Sequence, residues 1–256
     1  MLFTQASTFP QVAMGTGIGT ELPFILPMNA SMWDDFDSGI PSSATNAAIF
    51  KYDMQSAQNW GATGATASSV SFSTGTSYGQ CLVATRVTGA ASGDEAMMRS
   101  RAQFLLVAGK PMSVFGRIIC PAAWTATHWQ AFGLFSVNNT TPATVGIAAG
   151  GGCGIGFRTN NQTLQIGVAN DTVSIPFATA VTGLTAGQAL HLGLITDGVK
   201  HQFYLDNQKI GELSLDCTKA TGAPTNGNFQ LAVSCGTTTT TTSRVGIDYW
   251  GFSAVR

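Results

Sequence analysis

The chain has 256 residues, with 12 Lys and Arg against 13 Asp and Glu and a formal net charge of −1, so it lacks the basic stripe a nucleic-acid binder needs. No run of about 18 or more apolar residues is present, which argues against a helical membrane span. Charged residues make up only 10% of the chain while glycine fills 30 positions, so hydroxyls, amides and backbone must cover a weakly repelling surface suited to packing against neighbours.

Residues 1–30 contain Pro10, Pro23 and Pro27 and no sustained hydrophobic period, which predicts an extended arm. The patch "ELPFILPM" would leave Phe24, Ile25, Leu26 and Met28 in water unless the arm lies on its own domain or on a neighbouring subunit. The N-terminus has no basic region followed by an apolar one, so no secretory signal is expected.

Residues 31–256 are expected to form one domain. "SMWDDFDSGI" gathers Asp34, Asp35 and Asp37, oxygen ligands of the kind calcium takes, but a solvated turn accounts for them more simply. "FKYDMQSAQNW" predicts a short strand followed by a loop, and "ASSVSFSTGT" a strand with Val70 and Phe72 inward. Better-defined strands follow in "GQCLVATRV", "MMRSRAQFLLV", "KPMSVFGRIIC", "WQAFGLFSV", "GCGIGFRT" and "QTLQIGVA", each bounded by Gly, Asn, Thr or Pro clusters, a rhythm typical of sandwiches and barrels. "GDEAMM", with Asp94 and Glu95, reads as a hairpin turn. In "CGIGFRT" Cys153, Ile155 and Phe157 share one face and Gly154, Gly156 and Arg158 the other, where glycines admit a close neighbour.

"PAAWTATHWQAF" brings Trp124, His128 and Trp129 into one short segment, either a platform on which sugar rings could stack or aromatics capping the sandwich end. The five cysteines, Cys81, Cys120, Cys153, Cys217 and Cys235, are odd in number and form no CxxC. Neither a zinc site nor a disulfide framework is expected, and buried reduced thiols are.

"HLGLITDGVKHQFYLDNQKIGEL" is a meander. Leu190, Leu192 and Leu194 fall on one face, Asp197-Gly198 reverses the chain, Phe203 and Leu205 continue the alternation, and Asp206-Asn207 reverses it again. His191 and His201 flank the first turn in positions to oppose each other, but only Asp197 is near as a third ligand, so their role reads as structural. "NFQLAVS" is a further strand. Thr237 to Thr242 predict an exposed loop or strand extension. In "SRVGIDYWGFSAVR" Val245, Ile247 and Tyr249 alternate with Asp248, Trp250 and Phe252, so both faces are covered and the strand should lie centrally in its sheet or be covered on its outer side by the arm or a partner. No helical period is seen.

Together these elements predict an all-β fold, a two-sheet antiparallel jelly-roll-like sandwich with an extended N-terminal arm. The meander and the later "VGIDYWGFSAVR" resemble the concanavalin A-like lectin/glucanase superfamily, in particular its laminin-G-like branch, over residues 185–256. That resemblance implies sugar binding, glycan hydrolysis or a structural role, among which fold does not choose. Glucanases of this fold carry carboxylates spaced two apart along one strand. Here Glu21, Glu95 and Glu212 stand in three different segments, no G-x-S-x-G occurs, and "MGTGIGT" lacks the strand and helix a phosphate loop needs. The expectation is therefore a protein that is not an enzyme and holds no cofactor or metal.

An apolar-patched arm, few charges and a β-sandwich resemble virion proteins of tailed bacteriophages. This implies a capsid decoration or cement protein, homo-oligomeric, bound to capsid or other virion proteins through Phe24, Ile25, Leu26 and Met28. It would be made in the host cytoplasm and located in the virion. The alternative is a carbohydrate-binding module of a tail or fibre, with Trp124, His128 and Trp129 contacting host glycans.

Overall fold

The computed structural model describes residues 30–34, 52–56, 82–85, 94–119, 127–139, 142–218, 228–237 and 243–254. The described residues form fourteen strands: β1 (Ala30–Asp34), β2 (Tyr52–Ser56), β3 (Leu82–Thr85), β4 (Asp94–Phe104), β5 (Met112–Ile119), β6 (His128–Ser136), β7 (Gly154–Asn160), β8 (Thr163–Ala169), β9 (Ser174–Thr182), β10 (Ala189–Thr196), β11 (Lys200–Leu205), β12 (Gln208–Ser214), β13 (Phe229–Thr237) and β14 (Arg244–Ala254), with one 3-10 turn at Gly150–Gly152. All pairings are antiparallel. The first sheet runs β1-β14-β5-β10-β11-β12, with β3 also on β14, and the second runs β2-β4-β13-β6-β7-β8-β9. This is the two-sheet sandwich the sequence predicts.

The meander forms as its residue types dictate. Leu192 faces Leu205 and Leu194 faces Phe203 across β10 and β11, while β10 pairs on its other edge with β5. At the first reversal Asp197 Oδ1 accepts the Val199 and Lys200 N–H groups at 2.9 and 2.7 Å, an Asx turn. At the second, Asp206 and Asn207 both take positive φ, 47° and 70°, the backbone of a two-residue hairpin. Between the sheets lies one apolar core that draws Val114, Ile118, Leu190, Leu192, Leu194 and Phe203 from the first sheet and Phe132, Leu134, Ile155, Phe157, Leu231 and Val233 from the second. Phe157 and Phe203 meet edge to face, 5.3 Å between centroids, a geometry that adds to their area burial.

The last strand is central, with β5 on one edge and β1 and β3 on the other, but for a different reason than expected. Its register on β5 shifts between Ile247 and Tyr249, leaving Asp248 as an extra residue. This β-bulge flips the phase of the alternation. Val245 and Ile247 before it and Trp250 and Phe252 after it therefore enter the same core, so the two apparent apolar faces are one face interrupted.

Three further differences have identifiable physical causes. Asp94 and Glu95 open β4 rather than a hairpin turn, because the partners that Glu95 needs come from a distant loop. Strand β9 carries no strong apolar alternation, since it is the sheet edge and mostly exposed, the one place a strand tolerates a residue such as Pro176. Thr237 is buried at the end of β13; the remaining threonines lie outside the described residues, as do the arm and the segment holding Val70 and Phe72. On β7 the glycine face does admit a close neighbour: a Cβ on the facing Gly133 of β6 would sit 2.4 Å from Ile155 O and 2.6 Å from Gly156 Cα. Cys153, Cys217 and Cys235 are buried free thiols, and burial pushes Cys153 up to about 11.

Candidate functional site

The outer face of the second sheet, turned away from the first, is not bare. Met97, Phe135, Ala169 and Ala232 on its strands form a second apolar cluster with Ala143 and Ile147, which come from a loop at residues 142–149 folded over the sheet. Buried polar side chains pin that loop. Glu95 accepts the Ala143 N–H at 2.8 Å, and the Thr144 N–H and hydroxyl at 2.9 Å each. Arg99, also buried, donates to Ser136 O at 3.0 Å and to Asn139 O at the loop's root, and Asn139 Nδ2 donates to Gly146 O at 3.2 Å and Gly152 O at 2.9 Å. Burial pushes the Glu95 carboxyl up; the Ser234 hydroxyl and the Ala143 and Thr144 donors work against that rise.

Beside the loop, alternation along β7 turns Arg158 outward, level with Ala131 on β6 and Gln165 on β8. Its guanidinium lies between two rings, 4.5 Å from the Trp129 centroid and 4.9 Å from Phe177, and Nε donates to Gln165 Oε1 at 2.8 Å. Burial lowers the Arg158 pKa, opposed by the charge of Glu95; an arginine nonetheless stays ionised. The loop passes close at Gly146, where φ is +97° and a Cβ would sit 3.1 Å from Nη1. Only a glycine lets the backbone run there without pushing the guanidinium aside.

Of the residues expected as a glycan platform, Trp129 is in this stack, half-buried, with its indole Nε1 enclosed and without an acceptor among the described residues. His128 opens β6, one residue earlier, so alternation turns its side chain to the opposite side of the sheet. Trp124 lies outside the described residues, as do Phe24, Ile25, Leu26 and Met28. The stack thus joins Trp129 to Arg158 and Phe177. Arg158 was legible on the glycine face of "CGIGFRT"; Phe177 was hidden in the edge strand.

A second polar cluster sits on the outer face of the first sheet. Arg117 and His191 are register partners on β5 and β10, and the bulge in β14 presents both Asp248 and Tyr249 to them. His191 Nδ1 and Tyr249 Oη share a hydrogen bond of 2.8 Å, and Arg117 pairs with Asp248. Burial, assisted by Arg117, lowers the His191 pKa against the pull of Asp206 and Asp248. Burial raises that of Tyr249, with Asp248 and Asp206 adding to the rise and Arg117 opposing it. At neutral pH a neutral imidazole therefore stands beside a protonated phenol, the components of a proton-transfer pair.

His191 and His201 do not oppose each other. His201 faces Thr196, while the chain opposite His191 has already entered the second turn, where Asp206 N–H donates to His191 O at 2.9 Å. His201 is buried, bonded to Thr196 Oγ1 and Leu215 O at 2.8 Å each. Among the described residues no group of three His, Cys, Asp or Glu side chains is placed to hold a metal; Asp34 ends β1, and Asp35 and Asp37 lie outside the described residues.

No protein-family model matches the sequence, and no curated protein matches it. Solved structures share its fold. An endo-1,3-β-glucanase from Streptomyces sioyaensis superimposes with a TM-score of 0.57 at 13% identity, over 90% of this chain and 98% of that one. A Bacillus licheniformis β-glucanase gives 0.55 at 9% identity, over 87% and 97%. Alginate lyase A1-II′ of polysaccharide lyase family 7 gives 0.50 at 10% identity, over 72% and 83%. At such identities the likeness is one of fold, and the fold is the concanavalin A-like jelly roll. The comparison overturns the expectation that the chain is not an enzyme, since the structures sharing this architecture are mainly glycan-cleaving hydrolases and lyases. That expectation rested on missing paired carboxylates, the usual glucanase pair, and on the lack of a G-x-S-x-G or a phosphate loop; an elimination needs a base and an acid that other side chains can supply.

Proposed function

We propose that the chain engages glycans on the outer face of its second sheet. The observation that carries this reading is the Trp129–Arg158–Phe177 stack, two aromatic rings and a cation on a sheet face beside a pinned loop. Aromatic faces suit the C–H faces of sugar rings, a guanidinium and a carboxamide suit hydroxyls, and a surface held rigid before binding loses little entropy on meeting its ligand. The glycan-cleaving proteins of the same fold support it. Attachment to a virion through the arm rests on residues outside the described part, so the glycan reading is preferred.

The test is a glycan array followed by titration of the ligands found. Trp129→Ala and Phe177→Ala should each weaken binding by roughly 3- to 10-fold. Absence of binding across neutral, acidic and sulfated glycans would refute the reading.

A second reading, cleavage by proton transfer of a glycan bound instead on the outer face of the first sheet, is favoured by the bulge that seats Tyr249 against His191 beside the Arg117–Asp248 pair. Release of new reducing or unsaturated ends by the purified chain, lost in Tyr249→Phe, tests it; release unchanged in that variant would remove the pair from the chemistry.

A further inference from the structure

The donors on the outer face of the second sheet are unbalanced. Arg158 spends Nε on Gln165, while Nη1 and Nη2 bond no acceptor among the described residues. Gln165 uses only its carbonyl oxygen, leaving the Nε2 donors beside the guanidinium, and the Trp129 indole N–H is likewise without an acceptor there. Among the described residues the one carboxylate whose field reaches Arg158 is Glu95, and it is spent on the loop, fully buried under Ala143 and Thr144. A cation enclosed by two rings and a loop is poorly hydrated, which strengthens its attraction for a counter-charge. Its free edge is the planar two-donor fork that matches a carboxylate or sulfate oxygen pair. Gly146 keeps that edge from being capped by a side chain.

Building on the glycan reading above, we propose that the ligand is an acidic glycan whose carboxylate or sulfate group is taken by the Nη1/Nη2 edge of Arg158, with Gln165 Nε2 as an additional donor and Trp129 and Phe177 holding the guanidinium in place. The ring surfaces not covered by the guanidinium supply contact with the sugar, and the charge on Arg158 decides which sugars are retained. Since a lysine has neither the fork nor the flat face, Arg158→Lys keeps the charge and loses the geometry.

The experiment titrates uronate oligosaccharides, sulfated oligosaccharides and neutral glucan oligosaccharides of equal length into the full chain, at low and moderate salt, with inorganic sulfate as a competitor. The wild-type chain should bind the acidic series about 10- to 100-fold more tightly than the neutral one, less so as salt rises. Arg158→Gln should erase that preference, bringing acidic and neutral affinities together at whatever level the variant retains, and Arg158→Lys should restore only part of it; thermal melts of both variants establish that they are folded. Equal binding of acidic and neutral series, or a preference that survives Arg158→Gln, would overturn the assignment while leaving glycan binding standing. Sulfate binding abolished by Arg158→Gln with no glycan bound would make this a simple anion site and overturn it too. No binding of any glycan or anion would sink both this assignment and the reading beneath it.

Discussion

Replacing Glu95 by glutamine keeps the shape of the side chain and removes its charge, which separates the two forces acting on this buried group. The carboxylate accepts from the Ala143 N–H with one oxygen and from the Thr144 N–H and hydroxyl with the other. Glutamine has one carbonyl oxygen. If it serves Thr144, the amide confronts the Ala143 N–H, and a buried donor left unsatisfied costs about 1–3 kcal/mol. Against this stands the desolvation of the carboxylate, which raises its pKa above the ordinary 4.5. A carboxyl whose folded pKa is raised contributes stability that is complete below its unfolded pKa and lost as pH rises through the folded one. Glutamine has no such dependence, so the deficit of Glu95→Gln should be largest near pH 4.5 and narrow as pH rises, by at most about 1.4 kcal/mol per pH unit. Urea unfolding of both proteins, followed by tryptophan fluorescence at intervals from about pH 4.5 to 8, measures this, because titration of all other groups cancels to first order in the difference. A deficit that widens with pH would refute the reasoning: the loop donors would then outweigh burial and hold the carboxyl ionised.

Three further outcomes are expected. Gly133→Ala places a methyl against backbone atoms of Ile155 and Gly156 that have no rotamer by which to retreat, so β6 and β7 must part; a loss above about 3 kcal/mol in urea unfolding is predicted, and wild-type stability would show that the strands separate freely. His201 is buried and its pKa lowered by that burial, so its contribution is complete above about 6.5, the unfolded value, and is lost as pH falls below it. His201→Gln should flatten the acid limb of the stability profile between about pH 6.5 and 5, and an unchanged limb would assign it to other groups. Asp248→Asn removes an anion that raises the His191 pKa and also frees Arg117, which lowers it. The imidazole titration followed by NMR should therefore move to lower pH, and a move upward would mean that the bulge does not hold these side chains together.

Much of the architecture was readable because it depends on neighbours in sequence. The alternation Leu190, Leu192, Leu194 and the Asp197-Gly198 and Asp206-Asn207 turns are local choices of side-chain period and backbone conformation, and the structure places them as the residue types require. The candidate site was readable only in fragments. Trp129 stands out by its ring and Arg158 by its place among glycines, but their meeting depends on the register of β6 against β7 and on Phe177 arriving from an edge strand with little alternation. Glu95 looked like a turn residue since nothing within ten positions of it explains a buried carboxylate; its donors are Ala143 and Thr144.

By itself, then, the sequence determined the all-β class, the meander and the core-facing side of strands such as β7, β10 and β11, because hydrophobic burial acts on a two-residue period that local spacing records. Tertiary structure decided three matters: that Asp248 is an extra residue which returns Trp250 and Phe252 to the core, that a loop is clamped over the second sheet by Glu95 and Arg99, and that Arg158 meets two rings while its terminal nitrogens bond no acceptor among the described residues. Each of these joins groups far apart in the chain, and pairing at long range is set by which whole arrangement satisfies its buried donors, acceptors and apolar surface together, a quantity no local stretch contains.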